Sequence, residues 1–460
     1  MYAIGLDIGT TSVSALVLDS SSGEVLKSIS VLNDSSIKGK PYESLQDANR
    51  ILDIATDMLD KLMIPYKDIK AIGITGQMHG ILYVDCNGNA ISPLYTWQDG
   101  RGSQHLSKGK EYTETLKELT GCSSLASGYG IVTHFSNMKM GGVPKNATTI
   151  CTIGDFVAMR ITGKTTPLIH PGNAASLGLY NINKNSFDNQ MLSSAGIDAA
   201  FLPAVTRGFV IVGETKNSIP VAVSIGDNQA SFLGSVQDMR NSILINIGTG
   251  GQISVASDVP LLSSPLIETR PLLGDSSFIL VGAAICAGSS YAILEQFFQS
   301  ILGEFELNDF DVYKKMESLA YRYLENKNEP LCISTLFRGT RQNASLRGSI
   351  KKISADNLTP MHLVGGFLEG MVQELFDLLH CMDLRNDRVF TKLIGSGNGI
   401  RKNRPLQIIM ERCFGAQLLI PEYSEEAAYG AALYALTSIG VFSSIKQAQK
   451  LIKYIGDYSS

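Results

Sequence analysis

Cysteine is scarce in this 460-residue chain. Seven occur, at positions 86, 122, 151, 286, 332, 381 and 413, an odd number with no C-x-x-C pair. That pattern argues against both a disulfide framework and a zinc site, and predicts small buried thiols in a reducing compartment. Charge of one sign is equally lacking: 39 Lys+Arg against 43 Asp+Glu leave a net charge of -4, with no long run of either. A nucleic-acid partner or an anionic membrane surface would call for a basic patch, so neither is expected. The longest apolar stretch, FILVGAAICAG at 278–288, falls far short of the ~18 residues a membrane span needs. No basic segment precedes an apolar one at the start, and Asp7 would interrupt a signal core, which predicts a cytoplasmic protein. There is no G-x-x-x-x-G-K-[ST], which excludes a P-loop enzyme, and GSGNGI at 395–400 misses the last glycine of G-x-G-x-x-G.

What is present is the composition of a soluble globular protein, 44% hydrophobic and 18% charged, with 44 glycines. The length exceeds one ordinary core and predicts two domains. Strand-like and helix-like segments alternate throughout, the pattern of an α/β architecture. YAIGLDIGT and VSALVLD read as two strands, SSSG at 20–23 as a turn and EVLKSISVL as a third strand, all antiparallel. A helix is predicted near 45–63, with Leu45, Ala48, Ile51, Leu52, Ala55, Leu59 and Leu62 on one face and Pro65 ending it. IKAIGITG at 69–76 returns as a strand.

The second half repeats this plan. NSILINIGTGGQISVAS at 241–257 is again strand, glycine-threonine turn, strand; SSYAILEQFFQSIL at 289–302 reads as a helix capped by serine; RVFTKLIGSGNGI is a strand ending in a glycine turn. LDIGTTS at 6–12 and INIGTGG at 245–251 echo one another at the start of each half. Two related domains, 1–238 and 239–460, follow as the expectation.

The turns suggest chemistry. Glycine lets a backbone approach a ligand closely, and exposed N–H groups with a threonine hydroxyl make a phosphate cradle. Taken singly, each turn is better explained as an ordinary hairpin, and Asp7 as a solvated aspartate. One from each domain, facing across a cleft, could hold a nucleotide's phosphates: Thr10 and Thr11 from the first, Gly248, Thr249 and Gly250 from the second. A carboxylate at a strand end, Asp7, could then hold Mg²⁺, usually through water. Asp227, delivered by the apolar strand VAVSIG, is the candidate base, although for a lone Asp there an N-cap role is the more frequent explanation and both roles are compatible. GITGQMHGI at 73–81 places Gln77, Met78 and His79 after a strand, and YTWQDGR at 95–101 gathers the chain's single tryptophan, Trp97, with Gln98, Asp99 and Arg101. Polar groups around an apolar platform suit a polyol, with Asp99 and Arg101 meeting its hydroxyls or pairing with each other. A core histidine and a packing anchor are the structural alternatives for His79 and Trp97.

GLDIGTTS, GQMHG, WQDGR, GDNQAS, INIGTGG, GSGNGIRKN and EEAAYGAALYA, in this order, resemble the FGGY carbohydrate kinases. The resemblance spans nearly the whole chain. It implies two domains with ribonuclease-H-like cores, of the actin and hexokinase superfamily, with ATP and Mg²⁺ in the cleft and closure over a small-molecule sugar. Asp227 would be the catalytic base and Asp7 the carboxylate near the metal. Thr10, Thr11 and Thr249 would surround the phosphates, and Gly395, Gly397 and Asn398 would lie near adenine. The sugar would sit on Gln77, Met78, His79, Trp97, Asp99, Arg101 and Asn228. The small residues of AAYGAAL at 427–433 would let that helix pack closely beneath the nucleotide. TWQDGR, SGYGIVT (127–133), NAASLGLYN (173–181) and ISTLFRGTRQNASLRGSI (333–350) are similar to sedoheptulokinases, whereas Thr340 in GTRQNA stands where xylulokinases usually carry an acid. The expected reaction is phosphorylation of a terminal hydroxyl of sedoheptulose, with D-xylulose as the alternative. A nucleotide-driven switch or sugar sensor is the rival of another class. A homodimer is compatible with this reading.

Overall fold

A computed structural model describes residues 1–106, 109–261, 264, 266–273, 277–307, 310–326, 329–340, 343, 345–382, 384 and 388–456. The chain divides into two compact units, neither of them continuous. The first comprises Met1–Gln237, Arg270–Ile279 and Glu425–Lys453; the second comprises Asp238–Thr269, Leu280–Ser424 and Tyr454–Ser460. A single cut at 238/239 thus parts the two halves of the echo but would place 425–453 in the other unit from the one it packs with.

The first unit is built on the expected meander. Strands β1 (Tyr2–Ile8), β2 (Ser12–Asp19) and β3 (Val25–Leu32) pair antiparallel in sequence. Helix α1 (Ala48–Met63) then crosses over to β4 (Ile69–Gly76), which pairs parallel to β1. The helix starts later than its apolar spacing predicts because Asp47 caps it, accepting from the amides of Asn49 and Arg50. Leu45 consequently belongs to a short strand, Leu45–Gln46, and the buried face is completed by Ile54 and Met58 rather than Leu52. Beyond β4 lie β5 (Ile211–Glu214) and β6 (Pro220–Ala222), so the sheet runs β5-β6-β4-β1-β2-β3; β7 (Ile225–Gly226) extends along the far end of β4. Helix α2 (Asp227–Ser235) follows β7 directly.

The second unit repeats the order. β8 (Ser242–Ile247) and β9 (Gly251–Ser257) form the hairpin, and β10 (Phe278–Ala284), β11 (Lys392–Ser396) and β12 (Gln417–Leu419) complete a sheet in the order β10-β9-β8-β11-β12 beside an edge strand, Ile267–Pro271. Third, second, first, fourth is the order the two units share, with β11 parallel to β8 as β4 is to β1. Its core is apolar, drawn from Ile245, Ile253, Leu375, Leu393 and Met410 among others. Helix Gly288–Glu304 has no side-chain cap: Ser290 donates to the Ala287 carbonyl instead, and the serine cap expected there does not form.

Helix α3 (Glu426–Ser438) belongs to the first unit, lying on β1 and β4 and against α2. Glycine makes this approach possible. A Cβ on Gly5 would lie 1.8 Å from the Ala428 carbonyl oxygen, and one on Gly73 would lie 1.9 Å from that of Ala431. Gly430 sits the same way on Ala230, at 1.9 Å. The small residues of 427–433 therefore seat a helix on bare sheet. All seven cysteines are free thiols, but only Cys151 and Cys286 are buried as expected, while Cys86 and Cys332 are exposed; no helix among the described residues is long and apolar enough to cross a membrane.

Candidate active site

In an open sheet, ligands collect outside the carboxyl ends of the parallel strands, where side chains and loop amides project past the last ladder bonds. In the first unit three such ends are adjacent. Asp7 pairs in register with Thr75 of β4, and Thr75 and Gly76 pair with Ile225 and Gly226 of β7. Gln77 and Asp227 are the next residues of their chains, and the Gln77 amide donates to the Ile8 carbonyl at 2.9 Å. Asp7, Gln77, Met78, Asp227 and Asn228 are thus brought together by strand register.

The electrostatics of this edge are unbalanced. Burial pushes the Asp7 carboxyl up to about 8, with the neighbouring charges of Asp227 and Glu425 adding to the shift. Burial also raises Asp227, against the attraction of Arg270 and a 2.7 Å bond from the Asn228 amide to its Oδ1. Gly226 holds the N-cap position, so Asp227 is the first residue of α2 and not its cap. Asp7 Oδ1, Thr75 Oγ1 and Asn228 Oδ1 are buried without a hydrogen-bond partner among the described residues. Buried polar atoms are almost always paired, so three orphans on one strand edge mark a place for a polar ligand.

Met78 and His79 follow. A Cβ on Gly226 would lie 2.6 Å from Met78 Sδ, which packs the thioether beside the aspartate strand. His79 has φ of 70°, an uncommon conformation for a side chain of its size. It is held by its ring nitrogen Nδ1, 2.7 Å from the Ser176 carbonyl, by its amide donating to Ser176 Oγ at 3.2 Å, and by stacking on Tyr129 with centroids 4.6 Å apart. Strain fixed from three sides is common where a ligand must be met in one geometry.

Trp97 is 46% exposed, and its indole N–H donates to Thr10 Oγ1 at 3.1 Å. The Thr10 hydroxyl lies 3.3 Å from Gln77 Oε1, to which it donates. Trp97 and the first glycine-threonine turn are therefore in direct contact. Asp99 and Arg101 behave differently. Both are buried, and Arg101 donates from Nε to Asp99 Oδ1 at 2.6 Å and from Nη2 to Oδ2 at 3.1 Å. The guanidinium lies 3.9 Å over the Tyr95 ring, and the Ser44 amide donates to Asp99 Oδ2 at 3.1 Å. Their polar groups are spent on each other, on the Ser44 amide and on Asn137, whose Oδ1 accepts from Arg101 Nη1. Of the two readings the sequence left open, hydroxyl partners or a mutual pair, the structure shows the pair.

The second unit places its own turns at the ends of neighbouring parallel strands, since Asn246 of β8 pairs with Ser396 of β11. Gly248, Thr249 and Gly250 form the turn after β8, closed by the Gly248 amide on the Gly250 carbonyl at 3.0 Å, with Thr249 exposed. Gly397 has φ of 85° and stands against the Ile247 carbonyl, and Asn398 beside it is exposed. Gly395 is turned the other way: a Cβ there would meet Ile400, Leu418 and Ile420, so its smallness serves the core. A separate cavity of about 390 Å³ in this unit, lined by Leu331, Ile333, Gln373, Ile409 and Arg412 among others, contains none of the sequence-predicted residues. Arg341, Gln342 and Ala344 of the GTRQNA stretch lie outside the described residues.

Arg270 was not singled out from sequence, and Tyr129, Ser176 and Glu425 lie in the quoted stretches SGYGIVT, NAASLGLYN and EEAAYGAALYA without a role of their own there. Each reaches the site from a distant segment, and no local spacing announces it.

No group of three or more His, Cys, Asp or Glu among the described residues forms a metal cage. The donor set instead fits a hydrated Mg²⁺, which takes one or two carboxylates and completes its shell with water and phosphate. Asp7 Oδ1, buried, unpartnered and crowded by two further carboxylates, is such a donor.

Residues 2–243 match the N-terminal domain of the FGGY family of carbohydrate kinases, and residues 243–439 match its C-terminal domain. A sedoheptulokinase of Mus musculus is 27% identical, covering 94% of this chain and 97% of its own. Among solved structures, a ligand-bound xylulose kinase from Lactobacillus acidophilus superposes with a TM-score of 0.81 at 18% identity, over 98% of this chain and 92% of that one. Plasmodium falciparum glycerol kinase with ADP gives 0.80 at 19%, with the same coverage.

Proposed function

The chain belongs to the FGGY family of carbohydrate kinases, enzymes that transfer a phosphoryl group from ATP to a sugar hydroxyl, and from that premise we propose that its substrate is a ketose, sedoheptulose, phosphorylated at the terminal 7-hydroxyl. The observation that carries the choice of sugar is the setting of His79. It is held by Tyr129 and by Ser176, which come from SGYGIVT and NAASLGLYN, two of the stretches similar to sedoheptulokinases. Two sequence features that point to one substrate thus converge on one strained side chain.

In the proposed mechanism, Asp227 orients the terminal hydroxyl and takes its proton late, as the oxygen attacks the γ-phosphorus and ADP leaves. Burial favours this assignment, because a carboxylate with a raised pKa holds a proton better. Asn228, Met78 and His79 fix the sugar, with Trp97 as an apolar face for its C–H groups. Thr10 and Thr11 receive phosphate oxygens. In the second unit, Gly248, Thr249 and Gly250 are assigned to phosphate, and Gly397 and Asn398 to the nucleoside. Asp7 would hold Mg²⁺ through water, and the ion supplies neutralisation of the charge spread over the transferring phosphoryl group.

The deciding experiment is kcat/KM over a panel of ketoses and polyols with coupled detection of ADP. The highest value is expected for sedoheptulose. A higher value for D-xylulose would move the substrate to the five-carbon sugar, and ATP turnover indifferent to every sugar would remove the sugar site altogether.

A further inference from the structure

The turn at residues 9–12 disposes of its carbonyl groups completely. The Gly9 carbonyl accepts from Asn33 Nδ2 at 2.8 Å, that of Thr10 from Gln46 Nε2 at 2.8 Å, that of Thr11 from the Asn33 amide at 2.9 Å, and that of Ser12 from the Gly9 amide at 2.9 Å. Asn33 and Gln46 are 6% and 5% exposed. Their amide orientations are fixed from the other side: Asn33 Oδ1 accepts from Ser35 Oγ at 2.6 Å, and Gln46 Oε1 accepts from Gln77 Nε2 at 2.8 Å. A flipped amide would set oxygen against oxygen at either place. The Thr10 and Thr11 amides, by contrast, find no acceptor among the described residues, and Thr11 is exposed.

We propose that Asn33 and Gln46 are positioning residues for phosphate. They draw the turn's carbonyl oxygens inward, so that it offers an anion only N–H and hydroxyl groups. A carbonyl swung outward would bring a partial negative charge against the phosphates, whereas oriented amides aimed at an anion need no reorganisation when it arrives. This rests on the reading of residues 9–12 as a phosphate turn. Neither residue lies in a motif that the sequence marks out, and neither needs to touch the nucleotide.

The test uses the full chain with Asn33→Ser and Gln46→Met, both uncharged and both without the donated bond. Affinities for ATP, ADP and AMP are measured by calorimetry. The loss of one inward bond should weaken ATP and ADP about tenfold, while AMP, which lacks the outer phosphates, keeps its affinity. Equal weakening of all three would mean general damage to the site and would overturn the positioning role, as would unchanged ATP and ADP binding. Either variant alone decides the matter if the other fails to fold. The underlying reading is tested separately on the wild-type chain labelled with ¹⁵N-threonine. The Thr10 and Thr11 amide signals should move as ADP is added; if they stay still, the phosphate-turn assignment fails whatever the variants do.

Discussion

Replacing Asp7 by Asn should make the ligand-free protein more stable while abolishing turnover. The Asp7 carboxyl stands near 8 in the folded chain, against an ordinary 3.8. A raised folded value means that the native state keeps its proton after the unfolded chain has released it. Stability is therefore full below about pH 4 and drains away as pH rises to about 8, where both states are ionised. At about 1.4 kcal/mol per unit, the four-unit gap sets a ceiling of about 6 kcal/mol. Asp7 is not wholly enclosed, and solvent screening brings the expected figure to about 2 kcal/mol. That corresponds to a Tm higher by about 4–8 °C for Asp7→Asn at pH 8.5, with the difference vanishing at pH 4. Thermal unfolding of both proteins across this range, without nucleotide or Mg²⁺, provides the comparison. Equal Tm values at pH 8.5 would refute the claim that burial and the charges of Asp227 and Glu425 penalise this carboxylate.

Asp227→Ala should lower kcat by about 10²–10⁴-fold, the range of a positioned general base, while sugar binding by calorimetry persists; near-normal turnover would disqualify it. Since Trp97 is the only tryptophan and its indole bonds to Thr10, intrinsic fluorescence should change with sugar and also with ADP alone. A silent ADP titration would mean that the turn and the tryptophan respond separately. Gly430→Ala places a methyl group 1.9 Å from the Ala230 carbonyl oxygen, and should cost about 1–3 kcal/mol or more in chemical denaturation. An unchanged midpoint would show that α3 can lift from α2 freely.

The internal repeat was legible in the sequence because its signal is local. Alternating apolar residues, a glycine-threonine turn and a second alternating run specify a hairpin without help from elsewhere, and both hairpins appear where the echo lies. Local signals also misled. Leu45 has helical spacing from Ala48 and Leu52, but the Asp47 cap two residues later starts the helix and leaves Leu45 in a strand. For Asp99 and Arg101 the sequence left two readings open, hydroxyl partners or a mutual pair, because their bonds depend on how the 95–103 loop folds. The placement of 425–453 was out of reach for the same reason. What puts α3 on the first sheet is the bare backbone of Gly5 and Gly73, more than 350 residues earlier, and a glycine in a strand does not declare what lies on it.

That placement has a consequence for the order in which the protein can be made. The first unit's strands leave the ribosome long before the helix that roofs β1 and β4 is synthesised. The roughly 200 residues between Gln237 and Glu425 take about 10–40 s to translate at ordinary rates. Throughout that interval Gly5, Gly73 and Gly234 have nothing to receive. The half of the molecule that carries both aspartates is therefore finished only after most of the other half already exists, and a nascent chain stalled before residue 425 cannot assemble the site.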